Sequence, residues 1–239
     1  MDMTVLQGNC PVCERKTEFR SPDGWFRDNL RCASCDSIPR ERAFAWALET
    51  FCPDWRTRRV HESSPADRAV SNKLRDGAKD YIASQYFPGT RPGEKKDGVR
   101  CENLEAMTFA DRSIGLHAHL DVMEHVNRPD LCLREMERTL APGGMAIFTT
   151  PVYKDVVSTK RRAVYFPDGV EHLENPPEYH GNPIDESGAL VTFHFGQNFS
   201  DLMRAWAPAL SILQILPNDP AIGVIGEFRD VFVLTKRQG

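Results

Sequence analysis

The stretch RPDLCLREMERTLAPGGMAIFTTPV, Arg128 to Val152, decides the fold. Its first half reads as a helix that must end at APGG, because Pro142 cannot extend a helix and Gly143 or Gly144 takes the left-handed conformation at little cost. Its second half, MAIFTTPV, is an apolar run of strand length, as expected where helices cover both faces of a sheet. Upstream, RRVHES reads as a short strand and SPADRAVSNKLRD as a helix with Ser64 as N-cap and Pro65 in its first turn. DYIASQY is the next strand, GVRCENLEAMTF a short strand or turn leading into a loop, and SIGLHAHLDV a further strand. Strands alternating with helices predict a doubly wound α/β sheet with a largely parallel core. Downstream, FSDLMRAWAPAL reads as a helix, and SILQILP and EFRDVFVLTKR as two strands with no helix between them, an antiparallel addition. Between the halves, Val156 to Leu190 is rich in Pro, His and Asn, a composition suited to a lid or substrate loop.

With 239 residues, 41% hydrophobic and 27% charged, the chain has room for one catalytic-size domain and a small appendage. A formal net charge of −4 gives no broad attraction to polyanions, so nucleic acid is not the expected partner. No apolar run approaches the roughly 20 residues that span a bilayer. The start MDMTVLQGNC lacks the basic-then-apolar pattern of a secretory signal, and a cytoplasmic location is expected. Seven cysteines, an odd number, suit reduced thiols and metal ligation better than a disulfide framework.

CPVC (Cys10, Cys13) and CASC (Cys32, Cys35) are two C-x-x-C pairs separated by a loop of eighteen residues. Each pair turns two thiolates toward one cation, and two pairs complete the tetrahedral four-sulfur shell of a structural zinc ion. A redox dithiol is the competing reading, but such a pair occurs once and opens a helix. Cys52, Cys101 and Cys132 are isolated and read as packed side chains. After the second pair, SIPRERAFAWALETF carries Ala43, Phe44, Ala47, Leu48 and Phe51 at helical spacing and joins the two parts. The expected division is a zinc-knuckle module with its linking helix over 1–52 and a main domain over 53–239.

DVMEHV, LREMERTLAPGG and IFTTP resemble the class I S-adenosylmethionine-dependent methyltransferases, with Glu124, His125, Glu135, Arg138, Leu140, Pro142, Gly143 and Gly144 in that family's order. The resemblance implies a Rossmann-like seven-stranded sheet with an antiparallel last strand, and S-adenosylmethionine as cofactor. The loop RRVHESSPADRAV holds no glycine where dinucleotide-binding loops carry several. S-adenosylmethionine contains no phosphate, so no diphosphate-cradling turn is needed. The implied cofactor residues are Glu62, Ser63 and Ser64 in this loop, with Glu62 toward the ammonium and backbone amides near Ala66 toward the carboxylate. Ser64 reads equally as a helix cap only. Gln85 stands where an acidic residue usually holds the ribose, Asn103 with Leu104 where one lies near the adenine, and His119 on the fourth strand adjoins them. Ile114-Gly115 replaces the family's usual Phe-Asp.

Methyl transfer requires alignment of an acceptor and, for many acceptors, removal of a proton. Asp121 ends the fourth strand, at the edge where ligands collect in such sheets, and reads as a site carboxylate or a turn cap. His117, His119 and His125 read more readily as packed, neutral histidines. In PPEYHGNP, His180 is a candidate general base, Tyr179 a candidate for orienting the acceptor, and Asn182 a further polar group; the alternative is a loop anchored by its own hydrogen bonds. The leading expectation is methyl transfer to a small-molecule or glycan acceptor, on oxygen. The alternatives are an RNA base methyltransferase and a non-catalytic scaffold that has lost the cofactor.

Overall fold

The structure is a computed structural model and describes residues 3–181 and 187–238. Strands β1 (Thr4–Asn9) and β2 (Lys16–Ser21) form an antiparallel hairpin, and after the one-turn helix α1 (Phe26–Asn29) the short β3 (Arg31–Cys32) adds to β2. Helix α2 (Pro39–Phe51) starts as its sequence requires: Pro39 takes the first turn, and Glu41 Oε2 accepts the Ile38 N–H at 2.8 Å. The main domain follows as β4 (Arg59–Ser63), α3 (Ala69–Gly77), β5 (Asp80–Gln85), β6 (Lys95–Lys96), β7 (Val99–Cys101), β8 (Ile114–Leu120), α4 (Pro129–Thr139) and β9 (Leu140–Thr149). Six short strands come next: β10 (Lys160–Arg161), β11 (Ala163–Phe166), β12 (Gly169–His172), β13 (Tyr179–His180), β14 (Ala189–Leu190) and β15 (Phe193–His194). Helix α5 (Phe199–Trp206), β16 (Leu210–Ile215) and β17 (Val231–Lys236) close the chain.

The large sheet has the order β16-β17-β9-β8-β4-β5-β7-β6. Strands β9, β8, β4, β5 and β7 run parallel, and the last strand, β17, is antiparallel to both of its neighbours. Seven of these strands follow the expected layout; the eighth is the two-residue β6, a hairpin partner at the edge beyond β7. Among the described residues, no helix is long and apolar enough to cross a membrane.

Three local features differ from the sequence reading. Helix α3 begins at Ala69 rather than Ser64, with Arg68 before it and no side-chain cap. The Ser64 N–H instead donates to Ser84 O of the neighbouring strand at 2.8 Å, which holds the chain on the sheet before it turns. Strand pairing already starts at Leu140, opposite Ile114, then bulges at APGG and resumes at Met145 opposite Leu116; within the bulge Gly143 has φ +71° and a side chain on Gly144 would meet Ala141 O at 2.7 Å. The described residues between Val156 and Leu190 contain paired strands, β11 with β12 and β13 with β14, so they are built rather than irregular.

Helices α2 and α3 cover one face of the sheet; α4 and α5 cover the other. The first core joins Cys10, Val12, Phe19, Leu30 and Cys32 to Val60, Val70, Leu116, Ile147 and Val233, so apolar packing runs without a break across residue 52. On the second face lies a buried polar row. Thr139 Oγ1 donates to Glu135 O and therefore accepts from His117 Nε2 at 2.8 Å. His117 Nδ1 is then free to accept from His61 Nδ1 at 2.8 Å, and His61 Nε2 accepts from Ser84 Oγ at 2.7 Å. Every member is satisfied with both rings neutral, which agrees with burial lowering the His61 pKa to about 3 and holding His117 well below its usual value.

Candidate functional site

The carboxyl ends of the parallel strands converge at Ser63, Gln85, Cys101 and Leu120. Ser63 is buried at the end of β4, paired with Ser84 on one side and His119 on the other. Ser64 follows with φ +55°, the left-handed backbone that glycine usually supplies at this turn. The loop thus takes the expected shape without the expected residue, at a cost in strain. Ser64→Gly is expected to stabilise the protein by about 0.5–1 kcal/mol, read as a raised urea midpoint with an unchanged slope. A lowered midpoint would mean that the Ser64 side chain contributes more than its backbone costs.

Glu62 lies beneath this loop, 1% exposed, with Oε1 accepting from Ser71 Oγ at 2.6 Å and Oε2 from Tyr81 OH at 2.7 Å. Burial raises its pKa to about 7. The Ala66 N–H donates to Ser71 Oγ at 3.1 Å, so in this structure it serves the loop rather than facing an open site. Gln85 and Asn103 are half-buried at the ends of β5 and β7, and Asn103 Oδ1 accepts the Glu105 N–H at 2.9 Å. Leu104 packs into the core of the second face. His119 stacks on Phe148 with ring centroids 4.5 Å apart, and neither ring nitrogen has a hydrogen-bond partner among the described residues. Burial lowers its pKa to about 3, leaving a neutral imidazole with one donor and one acceptor unused.

Asp121 follows β8 at φ +50°. Its Oδ1 accepts from Thr149 Oγ1 at 2.8 Å, and its Oδ2 pairs with Arg40 Nε of α2 at 2.8 Å. Burial raises its pKa against the pull of Arg40. The carboxylate thus ties the N-terminal helix to the strand edge. A second cluster adjoins it. Glu124, 1% exposed, uses Oε2 to accept from Thr150 Oγ1 at 2.9 Å, while Oε1 lies 3.7 Å from both His125 Nε2 and His180 Nδ1. His125 Nδ1 donates to Leu190 O at 2.9 Å. Glu178 accepts from His180 Nε2 at 3.2 Å and from His194 Nε2 at 2.7 Å. The Glu124 carboxylate raises the His180 pKa. Tyr179, between Glu178 and His180 on the strand, points away and is 52% exposed. Asn182 lies outside the described residues.

Sequence reasoning did not single out Arg40, Glu178 or His194. The Glu178-x-His180 spacing was the available signal, since alternation on a strand puts both side chains on one face. Two open grooves, of about 700 and 500 Å³, lie elsewhere: one along early β5, β7 and Thr108–Ala110, the other between Arg58, Gly143 and the end of β17. Neither includes the strand-end residues above, where convergent polar groups rather than groove volume mark the site.

At the N-terminal end, Cys10, Cys13, Cys32 and Cys35 bring their sulfurs within 4.8 Å of one another. Cys10 Sγ to Cys35 Sγ is 3.7 Å and Cys13 Sγ to Cys32 Sγ 4.0 Å. Bonds of about 2.3 Å at tetrahedral angles put sulfurs about 3.8 Å apart, so the donor set and its spacing fit zinc.

Residues 71–148 match the profile of a family described as a methyltransferase domain. No curated protein matches the chain. Among solved structures, an S-adenosylmethionine-dependent methyltransferase from Mesorhizobium loti aligns with a TM-score of 0.50 and 14% identity, over 82% of this chain and 98% of that one. The amino pentose methyltransferase CalS10 from Micromonospora echinaspora, involved in calicheamicin biosynthesis and solved with S-adenosylmethionine bound, aligns at 0.51 and 13%, over 84% and 92%. A methyltransferase complexed with the Trm112 activator of Haloferax volcanii aligns at 0.52 and 13%, over 84% and 91%. The chain has the fold of the S-adenosylmethionine-dependent methyltransferases, with residues 71–148 matching a methyltransferase-domain family and a four-cysteine cluster packed at its N-terminal end.

Proposed function

We propose that this protein transfers a methyl group from S-adenosylmethionine to an oxygen of a small-molecule or sugar-containing acceptor. The observation that carries the reading is the convergence of unsatisfied, buried polar atoms of His119 and Glu124 at the carboxyl edge of β8, where this fold collects its ligands. Ser63, Ser64 and His119 would meet the methionine end, Gln85 the ribose hydroxyls, and Asn103 with Leu104 the adenine; Glu62 supports the loop from below. When bound, the cofactor supplies a methyl carbon activated by its sulfonium. The acceptor hydroxyl would take the methyl group and give up its proton, leaving S-adenosylhomocysteine as the second product. Asp121 and His180 would stand on the acceptor side, with His180, held by Glu124, where that proton would leave; Tyr179 points away from this cluster and so has no part in it. CalS10, named as acting on an amino pentose, is a neighbour in keeping with a sugar acceptor.

S-adenosylhomocysteine is expected to raise the melting temperature and to give a calorimetric heat of binding. With an acceptor found by screening with radiolabelled cofactor, His180→Ala should lower turnover by roughly a hundredfold while leaving product affinity unchanged. Neither heat nor thermal shift at saturating S-adenosylhomocysteine would favour the scaffold reading instead.

The four cysteines, all free of disulfides, are proposed to hold one structural zinc ion. Elemental analysis is expected to find zinc at this site, and Cys32→Ser combined with Cys35→Ser should abolish it. Because the module shares its core with the sheet, chelation should lower the melting temperature of the whole chain.

A further inference from the structure

We propose that Glu124, His125 and His180 form a binding site for a divalent cation of the zinc type, distinct from the four-cysteine cluster. Their ligand atoms lie within 4.8 Å of one another. The hydrogen bonds around them settle which atoms are free. His125 spends its Nδ1 proton on Leu190 O, so a neutral ring turns the Nε2 lone pair toward Glu124 Oε1 at 3.7 Å. His180 spends its Nε2 proton on Glu178 Oε1, so a neutral ring turns the Nδ1 lone pair toward the same oxygen at 3.7 Å. Glu124 Oε1 is itself buried and without a hydrogen-bond partner among the described residues. With both rings neutral, three acceptors converge with no donor between them, at separations too long for hydrogen bonds. A small cation resolves this. Bonds of about 2.0–2.1 Å at tetrahedral angles place ligand atoms about 3.4 Å apart, close to the spacing observed.

The surrounding shell has the form such a site requires. Each imidazole donates its other N–H to a carbonyl or carboxylate, which fixes tautomer and ring direction, and Thr150 anchors the second oxygen of Glu124. Two imidazoles and one carboxylate suit zinc better than magnesium or calcium, and three ligands leave one tetrahedral position open. With the cation bound, His180 is its ligand rather than the base, and an acceptor hydroxyl in the open position would lose its proton to solvent more readily because the cation stabilises the alkoxide; His180→Ala lowers turnover on either account. That role rests on the methyltransferase reading; the site does not.

The test is a metal count on the full chain, loaded with zinc and dialysed against metal-free buffer. Two zinc ions per chain are expected for the parent protein and one for each of Glu124→Gln and His180→Asn. Cobalt separates the two sites: intense sulfur-to-cobalt charge-transfer bands should persist in both variants, while the weaker absorption of the nitrogen-oxygen site disappears. His180→Asn lies on a half-exposed short strand and carries the test if Glu124→Gln does not fold. One zinc in the parent, or two in both variants, would overturn the proposal. Calorimetry with S-adenosylhomocysteine is run alongside. Binding of it without a second metal defeats this site alone, and a second metal without binding defeats the methyltransferase reading alone.

Discussion

Acidification from pH 7 to pH 5 is expected to cost the protein on the order of 3 kcal/mol of stability, well before most carboxylates titrate. The cause is the buried histidines. Burial lowers His61 and His119 to about 3 and His117 well below 6.5, so the unfolded chain binds three protons that the native state refuses. Stability therefore falls as pH drops below about 6.5, the unfolded histidine value, and keeps falling toward pH 3. Glu62 acts with the opposite sign: its buried carboxyl titrates near 7 in the native state, so it takes up a proton before the unfolded chain does and returns stability over the same range. His180, raised, and His194, lowered, offset each other in sign. A net difference of two protons gives a slope of about 2.7 kcal/mol per pH unit once pH is below 6. Urea midpoints at pH 7, 6 and 5 read this directly. His119→Phe should make the slope shallower by one proton, and Glu62→Gln should make it steeper by one. A midpoint that holds steady or rises toward pH 5 would show that the histidines are not buried neutral.

That histidine row marks the boundary of what was legible in the sequence. The strand and helix pattern around APGG depends on local stereochemistry, the rigid ring of Pro142 and the missing side chain of Gly143, and it placed α4 and β9 within a few residues. The parallel core followed from the alternation of strands and helices and the antiparallel ending from two late strands with no helix between them, while the count of seven strands came from the family resemblance. Ser64 defeated the same logic because its amide is taken by Ser84, a partner that only the folded sheet supplies. His117 was legible as buried and neutral, yet its tautomer depends on Thr139 and His61, which lie on other elements. The four cysteines were legible because two pairs at fixed spacing carry their geometry locally. Glu124, His125 and His180 were not joined in advance, since β13 is brought to the turn after β8 by tertiary hydrogen bonds, from His125 to Leu190 O on its partner strand and from Thr192 to Glu124 O.

Arg42→Ala is expected to destabilise the protein by about 4 kcal/mol, more than the loss of any exposed ion pair. The guanidinium is fully buried and donates to three backbone carbonyls: Leu30 and Ser37 in the cysteine module, and Gly223 in the turn between β16 and β17. It also lies over the Phe19 ring, 4.5 Å from its centroid. Burial pulls its pKa down to about 10, which still leaves it charged at neutral pH. Truncation strands three acceptors away from water and opens a void between the module and the sheet, two costs that add. Lysine keeps the charge but not the planar fork that reaches all three oxygens at once, so Arg42→Lys should recover only part of the loss. Arg56→Ala is the contrast: its pair with Glu49 is 44% exposed on the arginine side, and its removal should cost less than about 1 kcal/mol. Because Ser37 is also within 3.4 Å of Cys10 and 3.3 Å of Cys35, the same substitution should speed release of the proposed zinc ion to a chelator. Equal urea midpoints for Arg42→Ala and Arg56→Ala would mean that the module is not docked through Arg42, and unchanged zinc release would separate its docking from its metal.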